Sequence, residues 1–278
     1  MSVLARCLVD AAYLQSLSSL KRKRVGRNDS ERDSMTHLDA LDLQRLRLFS
    51  GFITRVQHNF LWEELPGTIG LLRLYHVELR FFAEYAVHHQ LLRARNASKT
   101  QRIYSFVKFL EDLLQAADGS AYPGLIDVLR YEWATWLLRR TDAPPRIPQR
   151  EITWTSMTSD EWRRVVPVFR IPIAVCTHSV DPVAAVRHVD NGRTPPVSAS
   201  EEQSFRLYWY SATRELRMAD VDAGLAALVQ SIDGYRSAQR VVRHAAAAIK
   251  LRFPIAAARI GFMFLINAGL LTARKRSR

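Results

Sequence analysis

The sequence predicts a mainly α protein with a small β-sheet, in which an N-terminal helical bundle precedes a mixed C-terminal domain. Three observations lead there. Apolar residues recur at helical spacing through most of residues 42–140. The proline-rich link Ala143-Pro-Pro-Arg-Ile-Pro148 then interrupts the pattern. Beyond it, two stretches rich in β-branched and aromatic residues, Val168–Thr177 and Phe205–Tyr210, sit among helical segments. The expected organisation is a flexible extension over 1–40, a bundle over 41–142, a linker over 143–158 and a C-terminal domain over 159–278.

Composition sets outer bounds. With 48% hydrophobic residues the chain can fill a core. Cys7 and Cys176 are far apart and support neither a disulfide framework nor a cysteine zinc site, which points to a reducing, cytoplasmic setting. Met1-Ser-Val-Leu-Ala precedes Lys21-Arg-Lys-Arg24, the reverse of the order in a secretory signal. The net charge of +13 and pI of about 10.2 favour nucleic acid, anionic membranes or acidic proteins without choosing among them.

Asp39 or Asp42 can cap the first helix, with Leu43, Leu46, Phe49, Ile53 and Val56 as its apolar stripe. From Glu63-Glu-Leu-Pro66 to about Leu92 the spacing predicts one long helix. Ser98 caps the next, which Gly119 ends. Pro123 fits the first turn of a helix bearing Leu125, Val128, Leu129, Trp133, Trp136 and Leu137 on one face. His58, His76, His88 and His89 lack the Glu-x-x-His pattern of bundle metal sites, so hydrogen-bonded or solvated histidines are expected.

Further on, Ser159-Asp-Glu-Trp162 and Asp181-Pro-Val start short helices, and Pro172 marks an edge or a bulge in the first β-rich stretch. Phe205–Tyr210 reads as a strand, Ser211–Glu215 as a turn and Leu216–Met218 as the return strand. Asp220 can cap a helix with Val221, Leu225, Leu228, Val229 and Ile232 inward, and Ser237 a helix to about Leu251. The apolar run Phe253–Ala273 is as long as a membrane span, but Arg259 near its centre costs roughly 2.5–3.5 kcal/mol on insertion. One or two buried terminal helices, and no membrane, are expected there.

Three pieces of the chain then fall into a recognisable order: Pro123-Gly-Leu-Ile-Asp-Val-Leu-Arg-Tyr-Glu-Trp133; Phe169-x-x-Pro172 with Pro182-Val183 and Arg187; and Phe205-Arg-Leu-Tyr-Trp-Tyr210 followed by Leu216-Arg-Met and Asp220-Val-Asp-Ala-Gly-Leu-Ala-Ala-Leu228. Together they resemble the HvfC/BufC/MbnC group of accessory subunits over about residues 42–272. Phe60-Leu-Trp-Glu-Glu-Leu-Pro66 is most similar to the methanobactin members. The resemblance implies an N-terminal helical domain and a C-terminal winged-helix-like domain of the RiPP recognition element kind. It implies an MbnB-type multinuclear iron oxygenase as partner, with the iron in that partner and no cofactor in this chain. It also implies a ribosomally made precursor peptide whose leader this chain would bind.

The residues themselves carry no nucleophile elbow, Walker A loop, dinucleotide fingerprint or HExxH pair, so no catalytic or metal-ligating residue is assigned. Leader capture by strand addition would use Leu216, Arg217 and Met218, with Val221 and Leu225 beside them. These residues equally fit an ordinary hairpin packed on a core helix. Arg130, Glu132 and Trp133 are the candidate partner interface. The alternative is a helix-turn-helix DNA-binding regulator. Against it, the segment Val221–Ile232 has no Arg or Lys with which to read bases, and nucleic acid is not expected as a partner.

Overall fold

The computed structural model describes residues 13–16, 42–91, 97–116, 121–141, 157–196, 203–250 and 253–275. These are mainly helical with a small antiparallel β component. The chain divides into two compact units: Met1–Leu129 with Val183–Val197, and Arg130–Pro182 with Ser198–Arg278. The division falls inside a helix, and most of the expected extension and linker lie outside the described residues.

In the first unit, α1 (Leu43–Gln57) starts at Asp42, whose carboxylate accepts the Arg45 N–H at 3.0 Å. Its buried face is not the expected apolar stripe. Ser50, Gly51 and Thr54 are buried instead, against α4 (Glu78–Leu91). A Cβ on Gly51 would stand 2.1 Å from the Leu79 carbonyl oxygen, so the two helix backbones nearly touch. Small residues win the interior because only they permit that approach. Leu43 and Leu46 are half-buried beside Tyr13 and Leu14, while Phe49 and Val56 are 48% and 55% exposed.

The expected long helix is also broken. A single turn, α2 (Leu61–Glu64), precedes α3 (Pro66–Leu74), and α4 starts only at Glu78. The break is a left-handed cap at His76, with φ of 56°. Val77 N–H reaches back to the Leu72 carbonyl at 3.0 Å and His76 N–H to Arg73 at 2.9 Å, which satisfies the end of α3 without glycine. Glu78 then takes Arg55 at 2.8 Å and Arg73 at 3.9 Å. Burial pushes its carboxyl pKa up, against the pull of those two cations.

α5 (Lys99–Ala116) opens with a reciprocal cap: Gln101 N–H donates to Ser98 Oγ at 3.2 Å and Ser98 N–H to Gln101 Oε1 at 2.8 Å. Gly119 lies outside the described residues. Phe106 of α5 stacks on Phe82 at 5.4 Å and meets the edge of Tyr85 at 5.2 Å.

Pro123 does not open a helical turn. It takes the second position of the β-turn Tyr122–Leu125, closed by a 3.1 Å bond from Leu125 N–H to Tyr122, with Gly124 at φ of 74°. α6 (Leu125–Arg140) follows and is not one-faced. Asp127, Glu132 and Thr135 are buried along with Leu125, Val128, Leu129 and Trp136, whereas Leu137 is 40% exposed.

In the second unit α7 (Ser159–Arg164) starts at Ser159 as expected, and its cap is Thr158, which with Glu161 forms a reciprocal capping box. The first β-rich stretch is two strands in two sheets. β1 (Val165–Phe169) pairs antiparallel with a strand at the far end of the chain, and β2 (Ile173–His178) starts after Pro172. Pro172 thus sits in the joint, where its missing N–H breaks no ladder.

α8 (Pro182–Asp190) runs back to the first unit, where Val189 meets Gly70 and Ala185 lies by Gly124. β3 (Ser204–Tyr210) and β4 (Leu216–Val221) complete the sheet β2-β3-β4. Their loop is a three-residue hairpin in which Arg214, φ of 59°, takes the left-handed position that glycine usually fills. Arg214→Gly is therefore expected to raise stability by about 1 kcal/mol. Thermal unfolding checks this, and an unchanged or lowered midpoint contradicts it.

β4 runs longer than expected, to Val221, so the helix cap is Asp222 and not Asp220. The Asp222 carboxylate accepts the Leu225 N–H at 2.7 Å, and α9 spans Ala223–Ser231. α10 (Ala238–Ile249) follows. The terminal apolar run is α11 (Ile255–Asn267), then a turn at Gly269, then β5 (Leu271–Lys275), the partner of β1. No described helix is long and apolar enough to cross a membrane. Arg259 is accommodated because its guanidinium donates to the Met157 carbonyl at 2.7 Å and lies over Trp162. Leu228, Val241, Ala245, Phe262 and Leu265 centre the core that the three last helices share.

Candidate functional site

The sheet β2-β3-β4 has one central strand and two edges. Alternation along β3 gives it two packed faces. Leu207 and Trp209 point to the core of α9, α10 and α11. Tyr208 points the other way, its ring 5.5 Å from Tyr131 of α6 and its hydroxyl 2.8 Å from His178 Nε2. Burial holds the Tyr208 phenol well above its ordinary pKa. This Tyr–His pair was not foreseen from sequence, because it depends on the strand register that sets His178 and Tyr208 on one face.

β4 pairs with β3 in the register Tyr210↔Leu216, Trp209↔Arg217, Tyr208↔Met218, Leu207↔Ala219, Arg206↔Asp220 and Phe205↔Val221. At the loop, Ser211 N–H donates to the Glu215 carbonyl at 2.9 Å. Hydrogen-bonded and non-bonded pairs alternate along an antiparallel ladder. Arg217, Ala219 and Val221 therefore spend their amides on β3, while Leu216, Met218 and Asp220 aim N–H and C=O outward. Among the described residues no other element bonds to that outward edge.

The side chains along the edge differ in availability. Met218 is 42% exposed, Arg217 is exposed and paired with Glu215, and Leu216 is half-buried. Asp220 accepts from Arg206 Nε at 2.6 Å, and Arg206 also donates to Asp181 at 2.8 Å. Burial opposes the charge on Arg206, but the two carboxylates outweigh it and hold the guanidinium protonated. Val221 and Leu225, expected together on a helix, are separated: Val221 ends β4 and Leu225 lies in α9. Both are half-buried against the helical core.

The second edge, β2, is engaged within its own unit. Arg130 Nη1 donates to the Thr177 carbonyl at 3.4 Å, and Cys176 Sγ–H to the Arg130 carbonyl at 3.7 Å. Of the three candidate interface residues, Glu132 is enclosed at 7% exposure and offers no surface. Trp133 is half-buried and stacks on Trp136 at 5.0 Å. Arg130 is half-buried, its guanidinium turned to β2.

Among the described residues no group of three or more His, Cys, Asp or Glu side chains gathers closely enough to hold a metal ion. His58 is buried, with Nδ1 2.9 Å from the Thr54 carbonyl. The arrangement can do one thing by plain backbone chemistry: accept an extended chain on β4. No protein-family model matches the sequence, and no curated protein matches it significantly.

Proposed function

We propose that this chain is the non-catalytic, cytoplasmic subunit of a heterodimeric MbnB-type iron oxygenase complex. It would bind the leader of a ribosomally made precursor peptide and present that peptide's cysteine. The observation that supports this reading is the open outward edge of β4, with three unspent amides at Leu216, Met218 and Asp220, followed by the capped helix α9. Main-chain pairing would supply affinity, and Met218 with Arg217 would supply register through side-chain contacts. The iron and the oxidation that turns the cysteine into an oxazolone beside a thioamide belong to the partner, as in making a copper chelator.

α1 offers a surface on which such a partner would dock, since Leu48, Phe49, Phe52 and Val56 are 41%, 48%, 43% and 55% exposed. The test is a three-way incubation. The chain alone, mixed with a cysteine-bearing precursor peptide, should leave the peptide's mass unchanged. The chain co-expressed with an MbnB-type iron oxygenase should elute as a heterodimer and convert the peptide. Turnover by the chain alone, or conversion by the iron protein without it, contradicts the proposal.

A further inference from the structure

The charge of this chain is concentrated where the peptide edge does not need it. Residues 234–278 contain ten Lys and Arg and no Asp or Glu, so this segment supplies +10 of the chain's +13. Three of its arginines serve the fold: Arg259 holds the Met157 carbonyl, Arg274 the Gly234 carbonyl, and Arg236 pairs with Asp233 at 3.3 Å. α10 shows where others go. It buries Ala238, Val241, Val242 and Ala245 against its neighbours. Its opposite face exposes Arg240, Arg243, His244, Ala247 and Ala248, and Lys250 is exposed at its left-handed C-cap.

Arg240 and Arg243 lie one turn apart on that face, Lys250 follows at the C-cap, and none has a hydrogen bond or ion pair among the described residues. At 1.5 Å per residue they span about 15 Å along the helix and its cap. Three cations without an ion pair among the described residues, set along one helix with His244, Ala247 and Ala248 beside them, match a periodic polyanion. α9 and α10 pack against each other across the turn 232–237, with His244 Nδ1 3.2 Å from Ser231 Oγ, and α10 is the helix that faces out. A DNA major groove, about 12 Å wide, admits one such helix. The absence of Arg and Lys from α9 does not count against this, because the second helix of the pair is the one that meets the groove. A bilayer fits this face less well, since it carries no large apolar side chain to bury.

We propose that the exposed face of α10 is a second binding surface, for the phosphate backbone of duplex nucleic acid, through Arg240, Arg243 and Lys250. The surface does not depend on the peptide reading.

The test uses the full chain and a labelled mixed-sequence DNA duplex of about 25 base pairs, titrated from roughly 50 to 200 mM salt. One variant replaces Arg240, Arg243 and Lys250 by Ala. A control replaces Arg164, Arg187 and Arg193, which are exposed elsewhere, and so removes the same charge. The α10 variant should bind at least roughly tenfold more weakly, and its log–log salt slope should flatten by about 0.9 per lost contact. The control should stay within about twofold of the parent. Circular dichroism confirms folding, which these exposed positions should not disturb. Absence of duplex binding by the parent overturns the proposal, as does equal loss in both variants. So does binding to vesicles of phosphatidylserine and phosphatidylcholine without binding to the duplex.

Discussion

Met218→Pro is expected to leave the protein folded and to weaken precursor-peptide binding by roughly tenfold or more, the effect of one lost main-chain hydrogen bond plus a displaced neighbour. The Met218 amide points away from β3, so proline there removes no bond of the hairpin itself. One residue earlier the same change has a different consequence. The Arg217 amide is spent on Trp209, so Arg217→Pro should break the hairpin and lower stability. Arg217→Ala should do little to either. This alternation by one residue is the signature of strand addition. Titrating a labelled peptide into each variant, after circular dichroism has shown which ones fold, reads it directly. Equal binding by Met218→Pro and the parent removes β4 as the docking edge.

Gly51→Val is expected to be the most damaging single change in the helical unit. Its Cβ would lie 2.1 Å from the Leu79 carbonyl and 3.1 Å from the Ala83 nitrogen, both backbone atoms that cannot swing aside. α1 must then lift from α4, at a cost of about 3 kcal/mol. Denaturant unfolding should show the loss, with a drop in helical signal if α1 detaches altogether. A variant as stable as the parent would mean that the helices do not cross at Gly51.

These two positions also show what sequence reading reaches. Local rules worked where the signal was local. Ser98, Asp42 as one of two offered caps, Ser159-Asp-Glu-Trp162 and the hairpin Phe205–Met218 each announce themselves within a few residues, and the mainly α class with a small sheet follows from them. What was not legible depends on distant partners. Gly51 lies outside the expected stripe of Leu43, Leu46, Phe49, Ile53 and Val56, and only the approach of Leu79 makes it the centre of the contact. His76 has no glycine signal, yet it adopts the left-handed cap that divides the expected long helix. Val168–Thr177 read as one β-rich stretch because its two halves share a composition, although they pair with β5 and β3 respectively. The strand β5 hid in an apolar run whose helical pattern dominates its first part.

For the candidate edge, the strand was legible and its parity was not. Arg217 stands out in the sequence as the polar residue between Leu216 and Met218, but the bond from Ser211 to Glu215 assigns the outward amides to its neighbours. Val221 moved from helix to strand for the same kind of reason: a ladder partner, Phe205, outweighs the cap that Asp220 could have offered.

The most direct measurement of the central claim is hydrogen exchange at single amides of β4, with and without the precursor peptide. Addition of the peptide should slow exchange at Leu216, Met218 and Asp220, whose N–H groups face outward, and leave Arg217 and Ala219, already bonded to β3, essentially as they were. Protection that appears on β2, or no change at those three amides while the peptide is bound, would contradict capture of the leader by β4.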